Sequence, residues 1–397
     1  MRGVIVEARQ GFADDVQGAQ VRYERIPQNC RFSRKHAKIY KTIDTNLLSY
    51  IAMKHCWLII LTLILQTPIA SGEEAVYRGL LDGSIGLTIG IDSQKNPSVG
   101  TLHYDSSGSD GLQLQGTALA GGRFEWKESL EIRGGDTIKH TGTFKGQWKA
   151  DGTTALGTWQ SADGKKLRTL TLTRLARIQK VADKTVDASV SYPQFDDPHY
   201  AQLNQLLAAQ AAKKLVEHVV SVQEARKELQ EAAKESKDEE QLKYSIEVPV
   251  GASTECSVDI AQTRFVSLLC QYFIFTGGAH PNSRWSSLNY LLNVDGGPQE
   301  IGLWDLINKS PAALSTLSGW LVAELKRQQA SLVVDGEINN FRDDLEKNNL
   351  PFTIIPAGLA FHFSPYSVAS YAEGEFDVVV PKKTLKDVIR SDNPWIH

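Results

Sequence analysis

Hydrophobic and polar positions change rhythm twice along this chain, and each rhythm predicts a different kind of element. From residue 75 to 175 they alternate one for one. Leu112 and Leu114, Phe124 and Trp126, and Leu170 and Leu172 each bracket a polar residue, and Phe144 and Trp148 fall on one face at strand spacing. A period of two marks a strand with one buried face. Gly108, Gly111, Gly121-Gly122, Gly134-Gly135, Asp151-Gly152 and Asp163-Gly164 interrupt these runs at turn positions. The pattern predicts seven or eight short antiparallel strands forming a meander or small barrel. Tyr104, Phe124, Trp126, Phe144, Trp148 and Trp159 either line a ligand cavity or fill the interior, and filling is the usual outcome at this barrel size.

Beyond residue 180 strands and helices mix. Thr185–Ser191 reads as a strand, broken by Tyr192-Pro193-Gln194-Phe195. Asp197-Pro198 is a cap with proline at the first helical position, and Leu203, Leu207, Leu215 and Val219 recur at multiples of four. From Gln223 to Gln241 the residues are almost all charged or small, as in a solvated helical extension laced with i,i+4 pairs; a hinged, partner-binding arm is the alternative. Strands follow at Glu255–Ala261, Phe265–Phe275 and Trp285–Val294, the last ending in the turn Asp295-Gly296-Gly297-Pro298. Ser310-Pro311 caps a helix with the stripe Leu314, Leu317, Leu321 and Leu325. Phe352–Ile355 and Leu359–Phe363 form a hairpin, Phe376–Val380 is a strand, and Lys382–Ile389 is a short final helix. The predicted class is α+β: an N-terminal antiparallel β meander or small barrel, then an α/β sandwich module. The expected units are a β-rich domain at 75–175, a companion α+β domain at 180–275 and a C-terminal domain at 276–390.

The start of the chain changes the compartment. Met53-Lys54-His55 is a short basic opening, Trp57–Leu65 is apolar, and Pro68-Ile69-Ala70-Ser71-Gly72 places small residues where a signal peptidase reads them. Residues 53–72 therefore read as a signal peptide cleaved before Glu73, and residues 1–52 as upstream read-through or a disordered leader. The apolar run of roughly ten residues is short of the ~20 that cross a bilayer, so no stable span is expected after cleavage. A membrane-anchored sensor with residues 1–52 in the cytoplasm is the competing arrangement. Residues 73–397 carry 33 Lys/Arg against 41 Asp/Glu, a net charge of −8. That balance disfavours nucleic acid and suits a cationic partner. Cys256 and Cys270 lie equidistant from the turn Gln262-Thr263-Arg264, so the two strands bring them face to face. A cross-strand disulfide in an oxidising periplasm or outside the cell is the reading, and two buried thiols are the alternative.

One motif stands apart. An aromatic strand, Cys270–Phe275, runs into Thr276-Gly277-Gly278-Ala279-His280-Pro281. The glycines permit positive φ, Pro281 denies a ladder donor, and His280 is carried to the exit of a sheet. His280 can act as a metal ligand, a general base or a structural cap, and a cap on nearby backbone comes first. The histidines show no metal-ligand spacing, and His362 reads as a lone polar residue in a strand. No nucleophile elbow, His-Glu-x-x-His helix or phosphate-binding glycine loop occurs, so no catalytic residue, metal or cofactor is assigned. Glu125, Glu128 and Glu131 read as solvent-facing strand and turn residues. Tyr366 and Tyr371, near Phe361 and Phe363, offer rigid amphipathic area beside a sheet. Alternatively, Tyr366 packs inward with its hydroxyl on the Gly277-Gly278 backbone. Arg284 and Trp285 extend the same surface.

Tyr192-Pro193, the helix with Leu203, Thr276-Gly277-Gly278-Ala279-His280, Leu303-Trp304-Asp305-Leu306, Phe363-Ser364-Pro365-Tyr366 and Tyr371-Ala372-Glu373-Gly374 occur in that order. Together they resemble the exported domain pair of RsiV-type anti-sigma factors and PdaC-type peptidoglycan deacetylases, over roughly residues 180–390. The resemblance implies a non-catalytic α/β module, which in the anti-sigma factors binds lysozyme and in the deacetylases accompanies a separate catalytic domain. No sigma-binding region is recognisable, and no deacetylase domain follows residue 390. The expectation is a periplasmic or secreted envelope protein that binds a lysozyme-like protein or cell-wall glycan. An envelope-polysaccharide hydrolase or deacetylase is the alternative. Gly277, Gly278, His280, Arg284, Trp285, Tyr366 and Tyr371 are the candidate contact residues.

Overall fold

In the computed structural model the structure describes residues 74–92, 98–105, 112–131, 138–235, 247–278, 280–293, 297–391 and 393. The leader at 1–52, the signal peptide at 53–72 and Ala279 of the glycine motif lie outside the described residues. Eight antiparallel strands form the N-terminal part: β1 (Glu74–Leu81), β2 (Ile85–Asp92), β3 (Ser98–Tyr104), β4 (Leu112–Leu119), β5 (Arg123–Glu131), β6 (Ile138–Trp148), β7 (Thr154–Ser161) and β8 (Leu167–Asp183). Each pairs with the next, and β1 pairs with β8, so the meander closes into a barrel with no free edge. The inward positions are those the alternation marks: Leu87, Ile89, Leu102, Leu114, Phe124, Trp126, Phe144, Leu170 and Leu172 are buried together. Aromatic rings fill this interior. Phe124 stacks on Trp126 at 4.0 Å, and a Cβ on Gly146 would lie 2.5 Å from the Phe124 ring.

One of the three glutamates departs from its expected place. Glu128 is only 4 % exposed and points inward, where Tyr104 Oη (2.9 Å), Thr141 Oγ1 (2.8 Å) and Trp159 Nε1 (2.7 Å) all donate to its carboxylate. It follows Phe124 and Trp126 at the same period of two, so alternation alone puts it inside; three donors replace the water it gives up. Glu125 keeps an exposed position, paired with Lys145 at 3.2 Å.

β8 does not end with the barrel. Its first half closes against β1 and β7; its second half, from Ala176 to Asp183, pairs with β9 (Asp187–Phe195). Pro193 does not break β9: it sits opposite Ile178, in a strand that continues to Phe195. β9 then pairs in parallel with β10 (Gly251–Ala261), and β11 (Phe265–Phe275), β12 (Asn282–Asn293) and β13 (Gly297–Glu300) follow antiparallel. Between β9 and β10 runs α1 (Ala201–Glu235), 35 residues or roughly 50 Å long. Asp197 caps the turn that leads into it by accepting from His199 N. Leu203, Leu207 and Ala211 press onto β9–β12, as the leucine stripe requires, while Leu215 is only half buried. The charged extension is not wholly solvated: Ala225 and Leu229, with Val222 just before it, pack on Val248, Val250, Ala252, Ile274 and Phe275. Beside this seam His218, 1 % exposed, bonds Thr254 Oγ1 at 2.8 Å, and burial pulls its pKa down to about 4.

The opposite face of β10–β12 carries a second, small sheet: β14 (Phe352–Ile355), β15 (Gly358–Phe363) and β16 (Phe376–Pro381). Before it come four helices, namely α2 (Leu303–Leu306), α3 (Pro311–Arg327), α4 (Ser331–Val334) and α5 (Arg342–Glu346). Ser310 caps α3 by accepting from Ala313 N, and Leu317, Leu321 and Leu325 bury against the small sheet, with Ala313 taking the inward place expected of Leu314. The final helix, α6, covers only Lys382–Leu385. No helix among the described residues is long and apolar enough to cross a membrane.

Cys256 and Cys270 sit directly opposite in the β10–β11 register and form a disulfide. The bridge closes a loop with a sequence separation of 14. In the chain-entropy account a loop of this size stabilises by about 3 kcal/mol. The double variant Cys256→Ser/Cys270→Ser is expected to lose about that much in urea unfolding, and dithiothreitol should lower the wild type to the same level. Equal stability with and without reductant would contradict the bridge.

Candidate functional site

The β11–β12 hairpin, the turn after β15 and the segment leading into β16 meet around a groove of about 580 Å3. β11 ends at Phe275 and β12 begins at Asn282, so the glycine motif is a hairpin loop. Gly277 has φ +88°, and a Cβ there would also lie 3.2 Å from Val248. Any other residue would be strained at that position. Gly278 adopts no such φ, and a Cβ there would make only an ordinary contact with His280 O at 3.9 Å.

His280 is held from three sides. Its Nδ1 lies 3.0 Å from Pro281 O, its Nε2 lies 3.1 Å from Tyr366 Oη, and its ring stacks on Tyr371 at 3.8 Å with an 18° tilt. Tyr371 Oη donates to Pro281 O at 3.1 Å, clamping the same loop. The contact of His280 with nearby backbone and its contacts with the two tyrosines thus fall in one place.

Tyr366 projects outward, 58 % exposed, and its hydroxyl meets His280 instead of the glycine backbone. Ser364-Pro365-Tyr366-Ser367 is a tight turn closed by Ser367 N donating to Ser364 O at 3.0 Å. Proline at the second position with positive φ at the third is the type II pattern, and Tyr366 has φ +68° where glycine is the ordinary occupant. A non-glycine residue in that region costs of order 1–3 kcal/mol. A large exposed ring thus occupies a strained position at the rim. Ser364 Oγ, meanwhile, accepts from Trp285 N at 2.9 Å and fixes the turn to the edge of β12.

Trp285 faces the small sheet, whereas its neighbour Arg284 points to the other side of β12 and is exposed. Both line the groove with Asn282, Ser283, Asn349 and Tyr272. Glu375, which the sequence reading passed over, lies beneath them. It accepts from Gln271 Nε2 of β11 at 2.8 Å and from Ser283 Oγ of β12 at 3.1 Å. Burial pushes its pKa up, against the lowering effect of these two donors; the Trp285 indole also favours the ionised form, although its buried Nε1 makes no hydrogen bond of ordinary geometry. Nearby Glu373 is pulled the other way, to about 2, because the Ser331 and Ser370 hydroxyls and backbone amides donate to it. That carboxylate ties the Tyr371 turn to the start of α4.

His362 is not a lone polar residue. Its Nδ1 lies 2.8 Å from Asp377 Oδ1 on β16, and its Nε2 lies 2.8 Å from Thr353 Oγ1 on β14. A carboxylate only accepts, so Nδ1 carries the proton and Nε2 takes the threonine hydroxyl. The order Asp–His–Thr has the layout of a nucleophile relay, but Thr353 is fully buried and His362 is 2 % exposed. Here it is a cross-strand polar ladder holding the small sheet together. Among the described residues no group of three or more His, Cys, Asp or Glu is arranged to hold a metal ion.

With this geometry in view, two family matches define the class of the C-terminal part. Residues 179–283 match the family described as deacetylase PdaC, and residues 304–383 match the protein family of unknown function DUF3298. The chain thus carries a PdaC segment followed by a DUF3298 segment. The groove lies where they meet: the first ends at Ser283, and the second contains Ser364, Tyr366, Tyr371 and Glu375. Among solved structures, a DUF3298 family protein from Pseudomonas aeruginosa PAO1 is similar at 14 % identity and a TM-score of 0.31, covering 54 % of this chain and 93 % of that one. A member of the same family from Bacteroides fragilis NCTC 9343 is similar at 18 % identity and a TM-score of 0.33, covering 55 % and 92 %. No curated protein matches the chain.

The raised pKa of Glu375 has a definite sign. A carboxyl that titrates above 4.5 in the fold favours the protonated form, so its contribution is fully present below that value and is lost as pH rises through the folded pKa. Gln at 375 keeps the accepting oxygen and removes the charge. Glu375→Gln is expected to equal wild type at pH 4 and exceed it at pH 7 in urea unfolding, and a variant less stable at both would contradict the assignment.

Proposed function

We propose that this is an exported cell-envelope protein, periplasmic or secreted, whose PdaC–DUF3298 module binds cell-wall glycan of the peptidoglycan type by docking. The observation that carries the reading is Tyr366: an exposed ring held at positive φ, pinned through its hydroxyl to His280 and clustered with Tyr371 beside Trp285. Rigid aromatic faces with polar handles stack on sugar rings at little conformational cost. Asn282, Ser283 and Asn349 line the same groove and supply hydrogen-bonding groups for hydroxyls and acetamides. Export is supported by the leader pattern at 53–72 and by the Cys256–Cys270 disulfide. Docking without bond cleavage is supported by the full burial of Thr353, the hydroxyl that a relay through His362 and Asp377 would have to present to a ligand.

A second reading, a cationic protein such as lysozyme, is favoured by the net charge of −8 over residues 73–397. Calorimetric titration of residues 73–397 with peptide-free wall glycan fragments and, separately, with lysozyme tells the two apart. The glycan reading expects saturable binding of the fragments. It further expects Tyr366→Gly to bind roughly tenfold more weakly while unfolding at the same or higher urea concentration, since glycine relieves the backbone. Binding of lysozyme alone, unaffected by Tyr366→Gly, would contradict it, as would release of acetate or reducing sugar.

A further inference from the structure

We infer that the cleft between α1 and the large sheet is a second binding site, for a small anionic amphiphile with an apolar tail of about eight carbons. The strand register explains why space is left there. Side chains on the α1 face of β10, β11 and β12 form cross-strand rows. One row is Val258–Leu268–Leu288; the next is Cys256–Cys270–Ser286, three small residues. Opposite them α1 presents Ala211, small as well, and a cavity of about 220 Å3 remains. Leu207 and Tyr192 wall it, and the disulfide forms part of its lining. Ser286 is exposed and Leu288 half buried, so the cleft opens on the β12 side.

The lining decides what enters. Its polar side chains are already engaged with the protein. Tyr290 Oη donates to Gln210 Oε1 at 2.9 Å, His218 Nε2 lies 2.8 Å from Thr254 Oγ1, and Ser286 Oγ donates to Cys270 O at 3.4 Å. A buried water needs two to four polar partners, so this cleft favours an apolar occupant over solvent. A cavity of about 150 Å3 takes the six carbons of benzene; in proportion, 220 Å3 takes about eight or nine. Charge comes from Lys214, half exposed in the cleft lining. Its Nζ lies 3.1 Å from Glu217 Oε2 and 5.5 Å from the centre of the Tyr272 ring. Such a solvated pair is weak, so the ammonium can turn to a carboxylate whose tail fills the cleft.

The test is calorimetric titration of residues 73–397 with butyrate, hexanoate, octanoate and dodecanoate, and with octanamide as the uncharged counterpart. Affinity is expected to rise roughly fourfold per methylene as far as octanoate, then to level off once the cleft is full. Octanamide should bind roughly fivefold more weakly than octanoate, and Lys214→Gln should bind the two alike. Ala211→Phe fills the cleft and is expected to weaken octanoate at least roughly tenfold. Ser286→Trp blocks the exposed mouth without entering the core. It should show the same loss at the wild-type unfolding midpoint, which keeps the test decisive if Ala211→Phe does not fold. No binding of octanoate, equal binding of butyrate and octanoate, or undiminished binding by Ser286→Trp would overturn the site. Equal binding of octanoate and octanamide by wild type would overturn the anionic ligand. None of these results bears on the glycan reading, whose ligand and variants are different.

Discussion

Between the large sheet and the small one, Ser267, Ser287 and Asn289 give up water, and each finds its partner in only one docking of the two layers. Ser267 Oγ accepts from Ile354 N at 2.8 Å and donates to Asn289 Oδ1 at 2.5 Å. Asn289 Nδ2 donates to Phe352 O at 2.9 Å, and Ser287 Oγ accepts from Phe352 N at 3.1 Å. The outer strand β14 is thus hydrogen-bonded to side chains of β11 and β12. A slide of one residue would orphan every one of these atoms, at about 1–3 kcal/mol each. Apolar packing also holds the layers together, but it is not directional. The polar contacts set the register, and the register places the Ser364–Ser367 turn, Tyr371 and Glu375 against the β11–β12 hairpin.

Departures from ordinary local rules gather at that junction. Tyr366 sits at positive φ, Glu375 is held desolvated, and Trp285 Nε1 is buried without a bond. Each costs stability on its own, and a fold under no functional demand has little reason to collect them around one groove. The barrel shows the opposite character. Among the described residues its one buried carboxylate, Glu128, is fully satisfied, its interior is packed with aromatic rings, and β8 continues from it into the module.

Much of this was legible in the residues. Alternation in 75–175 marked both the strands and the side of each that faces inward, because period two leaves no freedom once one face is buried. The Cys256–Cys270 pairing followed from symmetry about a turn. The same logic went unused at two places. Glu128 continues the Phe124–Trp126 rhythm inward, and Glu375 and Asp377 alternate with Phe376, Val378 and Val380, which places both carboxyls on the face turned to β11 and β12. Pro193 was a stop signal by propensity, yet β9 continues through it, since pairing outweighs a single missing donor. Leu229 was hidden in a charged run because one apolar residue per two turns is a weak stripe, though it is enough to meet Gly277. Meeting of His280 with Tyr366 across 86 positions belongs to tertiary structure and no local pattern encodes it.

On the proposed function, ligand enters the groove between the β11–β12 hairpin and the Ser364–Glu373 segment. Hydrogen–deuterium exchange of residues 73–397, with and without saturating peptide-free wall glycan, reads this directly. Slowed exchange is predicted for residues 280–285 and 364–372, with barrel strands β1–β7 unchanged. Protection confined to the barrel or to α1, with the hairpin unaffected, would contradict it.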